Sequence, residues 1–180
     1  MALKATIYKA DLQIADMDRN YYQEHGLTIA RHPSETDERV MVRLLAFALH
    51  ADAALMFTKG LFDVDEPDLW RKDLTGAIDL WIEVGQPDEK RLLKACGRAE
   101  KVIVYSYSAT SALWYRQIAN KLERARNLSI VNIPAATSAQ LEALAQRSMQ
   151  LQCTIQDGQV WLTDGSETVL VEREAFKGEL

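Results

Sequence analysis

The residues of this chain best suited to chemistry are two carboxylates, Asp79 and Glu83, within a segment that is otherwise apolar. Alternate side chains of an extended segment share a face, so Asp79, Trp81 and Glu83 are predicted to point the same way. The alternating apolar residues point the other way, into a core: Ile78, Leu80, Ile82 and Val84. Burying two acids near the middle of a sheet is costly unless a cation compensates them. The pattern therefore predicts a divalent metal, a lysine or an arginine beside the pair.

A metal bound by these acids would be a hard cation, because no cysteine or histidine cluster accompanies them. Oxygen ligands alone suit Mg²⁺ or Mn²⁺, which polarise a phosphodiester and activate an attacking water. A third acid is expected from Asp68, in the loop before the strand, or from Glu38, early in the first helix. A cation on the next helix would stabilise the developing negative charge, and Lys94 is the candidate because its neighbours are core-like. The alternative is that the two acids simply face water.

The segments around this strand alternate between strand and helix patterns. Residues 4–14 and 21–31 are predicted to form an antiparallel hairpin, with turn residues between them. Ser34 is predicted to cap a first helix that is buried on most of its surface. The stretch 63–73 is predicted to be irregular, and Gly97 is predicted to end the second helix. Further strands are predicted at 55–58, 77–84, 101–107 and 128–133. Further helices are predicted at 87–95, 109–124 and 138–147, with a start directly after Pro134 as the alternative for the last of them.

The end of the chain returns to a β pattern. Residues on both sides of Asp157-Gly158 alternate, and Asp-Gly between alternating strands is a strong hairpin signal. We expect the terminal β segments, 1–32 and 148–175, to pair or pack together as a lobe. The predicted fold class is α/β in the α+β sense, with a mixed β-sheet flanked by helices over about 34–147 and β-hairpin elaborations at both ends. The whole chain, 1–180, is predicted to be a single domain.

The composition limits the classes of protein to which the chain can belong. A net charge of −5 argues against a protein that coats nucleic acid or an anionic membrane non-specifically. No apolar run approaches the roughly 18 residues that span a bilayer, and the N-terminal residues alternate like a strand rather than a signal peptide. Cys96 and Cys153 lack metal-ligand spacing and are expected to be free thiols of a reducing compartment. We therefore expect a cytoplasmic protein.

Three segments carry long motifs: the N-terminal Met-Ala-Leu-Lys-Ala-Thr-Ile-Tyr-Lys, Ala30-Arg-His-Pro-Ser-Glu-Thr, and the run from Asp79 to Lys90. Together they resemble the YaeQ family, and the resemblance covers essentially the whole chain. It implies a restriction-endonuclease-like core of the PD-(D/E)xK type with a variant catalytic motif. In that core a first helix precedes a strand hairpin that carries the acids, and a helix and further strands follow.

The superfamily motif maps onto this chain with one departure. Pro67-Asp68 supplies a literal Pro-Asp element, and Glu83 would be the acid of the second element. Alternatively Asp79 is the motif acid, with only three residues between it and Glu83. Both assignments place the motif lysine at Gly85, which has no side chain and cannot stabilise charge.

The resemblance then implies that the motif cation has moved to another position. Lys94 or Lys90 on the next helix would replace it, with Gln86 as a weaker polar substitute. Glu38 matches the helical acid that some nucleases of this superfamily use near the metal. If nucleic acid is bound, Lys90, Arg91 and Gln86 are the expected contacts.

The leading hypothesis is a metal-dependent, nuclease-like phosphodiesterase. Asp79 and Glu83 would hold Mg²⁺ or Mn²⁺, Asp68 or Glu38 would assist, and Lys94 would stabilise the transition state. The alternative is a non-catalytic protein- or nucleic-acid-binding module on the same fold, for instance in transcription, which the missing lysine and the acidic charge favour. A third alternative, a hydrolase of small phosphoesters, would need a closed pocket.

Geometry separates the first two hypotheses. Catalysis predicts that Asp79, Glu83 and one further acid converge within about 4–6 Å of each other, with a lysine close by, because charges interact strongly only at that range. A binding scaffold predicts acids that face solvent or pair with arginine.

Overall fold

Strands and helices alternate through the computed structural model, which describes residues 4–180. The described residues form eleven strands: β1 (Thr6–Asp16), β2 (Tyr21–Arg31), β3 (Leu55–Phe57), β4 (Leu69–Lys72), β5 (Ile78–Val84), β6 (Ala99–Tyr107), β7 (Leu128–Ile133), β8 (Ser148–Gln156), β9 (Gln159–Thr163), β10 (Thr168–Leu170) and β11 (Glu174–Lys177). They also form four helices: α1 (Asp37–His50), α2 (Glu89–Arg98), α3 (Ser111–Leu122) and α4 (Ala135–Glu142). None of these helices is both long and apolar enough to cross a membrane. The first three residues of the predicted terminal segment 1–32 lie outside the described residues.

The chain divides into two compact units, each with its own sheet. The first unit comprises Met1–Ala48 and Ala136–Glu172, and the second comprises Leu49–Ala135 and Arg173–Leu180. The first contains the five-stranded sheet β10-β9-β8-β1-β2, and the second contains the six-stranded sheet β11-β7-β6-β5-β4-β3. Both sheets mix parallel and antiparallel pairs, which with the four helices confirms the predicted α+β class.

The sheet of the first unit joins the two ends of the chain. Strands β1 and β2 form the predicted antiparallel hairpin, and β1 pairs in parallel with β8 on its other side. Every second residue of β1 and β8 is buried, as alternation requires in a sheet with one covered face: Tyr8, Ala10, Leu12 and Ile14 with Met149, Leu151, Cys153 and Ile155. Asp157 and Gly158 both have positive φ angles (52° and 75°), as the predicted two-residue turn between β8 and β9 requires.

The sheet of the second unit has a parallel centre. Strands β5, β6 and β7 run parallel, while β4, β3 and β11 are added antiparallel at the two sides. Near-continuous apolar runs in β6 and β7 are typical of strands that are covered on both faces. One core cluster of this unit gathers apolar residues from the sheet, α2 and α3: Trp81, Leu92, Ala95, Ala99, Val102, Val104, Leu122, Leu128 and Ile130.

Three helices begin two residues later than predicted: α1 at Asp37, α2 at Glu89 and α3 at Ser111. Helix α1 begins at Asp37 because Thr36 rather than Ser34 caps it: the Arg39 N–H donates to Thr36 Oγ1 at 3.2 Å. The Ser34 hydroxyl contacts His32 instead. Helix α4 begins directly after Pro134, which is the alternative start, and it ends at Glu142, so the range 138–147 lies too far along the chain.

The stretch 63–73 is not irregular throughout, because it contains β4. Four residues are too few to display a clear alternation, and this strand forms because β5 offers it a partner. Gly97 does not end the second helix, since α2 continues to Arg98. A single glycine inside a helix lowers its stability by only about 1 kcal/mol, which packing can outweigh.

The first unit encloses a group of charges around Glu35. The Glu35 carboxylate is buried and accepts hydrogen bonds from Arg43 Nη2 at 2.7 Å and Arg39 Nη1 at 2.5 Å. Arg43 is also buried, and its Nη2 donates to the Ala30 carbonyl at 3.0 Å. The cluster therefore joins α1 to the end of β2 through buried, charge-assisted hydrogen bonds.

We expect Glu35→Gln to lower the free energy of unfolding by about 3 kcal/mol, because it leaves the Arg43 charge buried without its counter-ion. Urea denaturation followed by circular dichroism measures the loss. Glu89→Gln is the control, since it breaks the more exposed Lys121–Glu89 pair and should change stability by less than about 1 kcal/mol. Equal losses in the two variants would contradict the prediction.

Candidate functional site

Glu83 is a buried carboxylate on the central strand β5 of the second unit. Only 4% of the residue is exposed, because β4 and β6 flank the strand and both of its faces are covered. Its Oε1 atom accepts hydrogen bonds from Trp81 Nε1 and from Arg91 Nε, both at 2.9 Å. The predicted cation beside a buried acid is therefore supplied by an arginine of α2.

Asp68 lies beside Glu83 at the start of the neighbouring strand. It immediately precedes β4 and is 2% exposed. Its backbone N–H donates to the Ile82 carbonyl at 3.0 Å, and its Oδ2 accepts from the Val84 N–H at 2.8 Å. These two bonds bracket Glu83, so the Pro-Asp element and the second motif acid are brought together by the β4–β5 hairpin.

The two acids affect each other electrostatically. The pKa of Glu83 is raised to about 7, chiefly by burial and next by the negative charge of Asp68. The Arg91 guanidinium and the Trp81 N–H act in the opposite direction but do not cancel these effects. Near neutral pH the Glu83 carboxyl is therefore divided between its protonated and ionised forms.

Arg91 is held in place at several points. Helix α2 begins at Glu89 with Asp88 as its cap, and Asp88 Oδ1 accepts from the Arg91 N–H at 2.8 Å. The guanidinium donates to Glu83 and, through its two terminal nitrogens, to the carbonyls of Val64 at 2.5 Å and Glu66 at 2.8 Å. Arg91 thus ties the loop before β4 to the buried acid.

Asp79 does not join Glu83, although both were expected to hold one metal. Four residues along a strand separate Cα atoms by about 13 Å, and the two acids have different partners. Asp79 Oδ1 accepts from Arg71 Nε at 2.7 Å, and Arg71 Nη1 contacts Asp52 Oδ2 at 2.7 Å. About a third of each of these three side chains is exposed, so this is a surface ion network.

The other predicted residues occupy separate positions. The Lys94 Nζ atom lies 3.7 Å from Asp65 Oδ1 with both side chains about 70% exposed, rather than beside Glu83. Lys90 is exposed on the first turn of α2. The Gln86 Nε2 atom donates to Thr110 Oγ1 at 2.9 Å and Ser108 Oγ at 3.2 Å.

Glu38 belongs to the first unit, on α1. Its Oε1 atom accepts from Ser138 Oγ at 3.2 Å, and its pKa is raised mainly by burial, with a further contribution from Glu142. Across residues 4–180, no three or more acid, histidine or cysteine side chains are grouped so that they could hold a metal ion.

Gly85, where the expected nuclease motif would place a lysine, has a backbone conformation that disfavours any side chain. Gly85 has a φ angle of 113°, a region that residues with a Cβ rarely adopt. Its N–H donates to the Tyr105 carbonyl at 2.9 Å, which fixes this conformation at the end of β5. A Cβ built there would meet nothing within 4 Å, so the restriction comes from the backbone and not from a lack of space.

We expect Gly85→Ala to destabilise the protein by roughly 1–3 kcal/mol, because alanine is strained at this φ angle. Gly97→Ala is the matched control. Gly97 lies in α2 with open space around its Cα, so alanine there should raise stability by about 0.5–1 kcal/mol. Thermal unfolding of both variants measures the difference in stability. A Gly85→Ala variant that is as stable as the wild type, or more stable, would contradict the expected backbone strain at this position.

The raised pKa of Glu83 makes stability depend on pH. Between about pH 4.5 and 7 the folded protein retains a proton on Glu83 that the unfolded chain releases, so the free energy of unfolding falls as the pH rises. Glu83→Gln removes this dependence. We expect the stability of this variant relative to wild type to increase by up to roughly 3 kcal/mol across that window, measured by urea denaturation at several pH values. A stability difference between Glu83→Gln and the wild type that does not vary with pH would contradict the raised pKa of Glu83.

Comparison with known proteins places the chain in a family. The family model described as YaeQ protein matches residues 1–173. Proteins named "Uncharacterized protein YaeQ" from Salmonella typhi and Escherichia coli (strain K12) are each 47% identical over 178 residues, covering 98% of both chains.

Two crystal structures are similar over nearly the whole chain. The YaeQ protein of Xanthomonas axonopodis pv. citri has a TM-score of 0.93 at 47% identity, covering 98% of this chain and 100% of that one. The YaeQ protein of Pseudomonas syringae has a TM-score of 0.91 at 38% identity, covering 97% of each chain. The resemblance noted from the sequence motifs is therefore confirmed, and the chain belongs to the YaeQ family.

Proposed function

We propose that this chain is a cytoplasmic, nuclease-like phosphodiesterase whose divalent-cation site is formed by Asp68 and Glu83. One observation carries the proposal: two carboxylates lie side by side and almost fully buried in the β4–β5 hairpin, and the pKa of one is raised to about 7. Strongly shifted carboxyl groups next to a like charge are typical of functional sites. The proposed core is a variant of the restriction-endonuclease-like PD-(D/E)xK type.

The order of elements around the acids supports that core. The hairpin β4–β5 carries Asp68 and Glu83, helix α2 follows at once, and β6 then pairs in parallel with β5. This is the succession of acid-bearing hairpin, helix and strand that the family resemblance implies. It also explains why Asp68 and Glu83, fifteen positions further on, lie together while Asp79 does not.

The chemistry of the two acids fits a small hard cation. Mg²⁺ is commonly bound by one or two carboxylates and completed by water and substrate phosphate, and two buried like charges are stabilised when a cation lies between them. When bound, Mg²⁺ or Mn²⁺ would polarise a phosphodiester and lower the pKa of an attacking water. Glu83 would bind the cation in its ionised form, so the affinity for the cation should increase as the pH rises towards about 7.

Arg91 would act in place of the motif lysine. It contributes a permanent positive charge 2.9 Å from Glu83 Oε1, at the acid where the motif would place an ammonium group. Its contacts with Val64 and Glu66 hold the guanidinium in one position, so its role is to fix the Glu83 carboxylate and to offset negative charge nearby. Lys90 and Lys94, exposed on the same helix, would contact the phosphates of a nucleic acid.

Calorimetric titration with Mg²⁺ and with Mn²⁺ tests the site. We expect saturable binding to the wild type, weakened about tenfold or more by Asp68→Asn and by Glu83→Gln. Asp79→Asn is the matched control: it removes an acid from the same strand that pairs with Arg71 instead, and it should bind the cation like the wild type. Thermal unfolding of each variant distinguishes loss of the site from loss of the fold.

Two outcomes would contradict the metal-dependent proposal. One is a wild type that binds neither cation, alone or with a phosphorothioate DNA oligonucleotide present to supply phosphate ligands. The other is binding that Asp79→Asn weakens as much as Asp68→Asn does. If the site binds the cation, incubation with single- and double-stranded DNA and RNA in Mn²⁺ identifies the substrate, and cleavage should be lost in Asp68→Asn.

A second candidate function is a non-catalytic binding module on the same fold. The observation that favours it is that Asp79 and Glu83 each pair with an arginine, Arg71 and Arg91, as a scaffold requires. This candidate predicts no cation binding, but oligonucleotide binding that Lys90→Ala or Lys94→Ala weakens without any cleavage. The titration and the cleavage assay together separate the two functions.

A further inference from the structure

The solvent-facing side of the five-stranded sheet in the first unit carries an ordered row of side chains, and we call this side the outer face. Five residues lie directly opposite one another across all five strands: Tyr22, Ala15, Thr154, Trp161 and Leu170. In this row the aromatic residues Tyr22 and Trp161 lie three strands apart, and the smaller residues Ala15 and Thr154 lie between them. Tyr22 is 53% exposed and Leu170 is 44% exposed, and Trp161 is partly exposed.

The next row along the outer face is polar. It contains Glu24, Gln13, Gln152, Thr163 and Thr168, again one residue from each strand. Gln152 Nε2 lies 3.4 Å from Gln13 Oε1, so these two amides are already oriented towards each other. An amide both donates and accepts hydrogen bonds, and a threonine hydroxyl does the same.

A shallow trough of about 380 Å³ lies between the two rows. Tyr22, Ala15 and Thr154 from the first row and Gln13, Glu24 and Gln152 from the second line it. This volume falls within the range of small-ligand sites. The trough is built on strands rather than on loops, so its lining is held in place before a ligand arrives.

The charges of the residues that line the trough limit what it can bind. Glu24 is the one ionisable carboxylate of the trough lining, and no lysine or arginine belongs to that lining. A phosphate backbone needs cations, so a nucleic acid is disfavoured. What remains is an uncharged ligand with an apolar face for the rings and with hydroxyl groups for the amides.

We propose that the outer face is a binding site for a neutral oligosaccharide. The apolar face of a pyranose ring packs on an aromatic ring, whose flat surface is electron-rich. Its hydroxyl groups can both donate to and accept from the amides of Gln13 and Gln152, and can donate to the carboxylate of Glu24. Tyr22 lines the trough, and Trp161 lies on the next strand beyond the lining, opposite Thr154. The two residues are three strand spacings apart, about 14 Å, which a trisaccharide can span. This site belongs to the first unit and is independent of the proposed function of Asp68 and Glu83.

Titration of the ¹⁵N-labelled full chain with maltotriose, cellotriose, laminaritriose and triacetylchitotriose, followed by NMR, tests the proposal. We expect at least one of these to cause saturable shifts of backbone amides in β1, β2 and β8 and of the Trp161 indole. Tyr22→Ala and Gln13→Ala should each weaken that binding about tenfold, whereas Tyr22→Phe, which keeps the ring, should retain most of it.

Two controls separate the trough from the rest of the surface. Gln156→Ala removes a glutamine from an exposed position of β8 outside the trough and should not alter the affinity. Asp68→Asn, in the other unit, should also leave saccharide binding unchanged. The proposal is overturned if none of the four trisaccharides binds saturably, if Gln156→Ala weakens binding as much as Gln13→Ala, or if oligouridylate shifts the same amides at lower concentration.

Discussion

The second unit is organised around a carboxylate that its own fold has removed from water. An ionised acid in an apolar core is unstable unless donors surround it, and Glu83 has two of them, the Trp81 indole and the Arg91 guanidinium. The arginine in turn needs acceptors for its other N–H groups, which the loop before β4 supplies through the carbonyls of Val64 and Glu66. Strand β5, helix α2 and that loop are therefore positioned by one chain of hydrogen bonds.

How far the site could be predicted from the sequence differs from residue to residue. Alternation correctly marks β5 as a strand but does not reveal that both of its faces are covered, because Trp81 and Glu83 interrupt an otherwise apolar run. It also groups Asp79 with Glu83 by face, although the four-residue spacing already separates their Cα atoms by about 13 Å. The pairing of Glu83 with Asp68 depends on β4, a four-residue strand too short for any periodic signal.

The sequence could not show which basic side chain lies beside Glu83, for a different reason. Lys90, Arg91 and Lys94 all lie near the start of α2, and a shift of two residues in the helix start changes which of them faces β5. The structure places the start at Glu89, with Asp88 as the cap, which directs Arg91 towards Glu83. The overall α+β class and the terminal hairpin could be predicted from the sequence. They depend on long alternating segments and on an Asp-Gly turn, and an error of two residues in an element boundary does not change either prediction.

The parallel pairing of β1 with β8 has a consequence for biosynthesis. Asp18, in the turn after β1, accepts hydrogen bonds from the N–H groups of Asp157 and Gly158, and Asp157 lies 139 positions further along the sequence. A ribosome completes β1 and β2 long before it reaches β8, and the residues that make up most of the second unit are synthesised in between. Until β8 emerges, one side of β1 has unpaired backbone groups, which is the kind of strand edge that promotes aggregation of nascent chains. The first unit can therefore complete its sheet only after most of the chain has been translated.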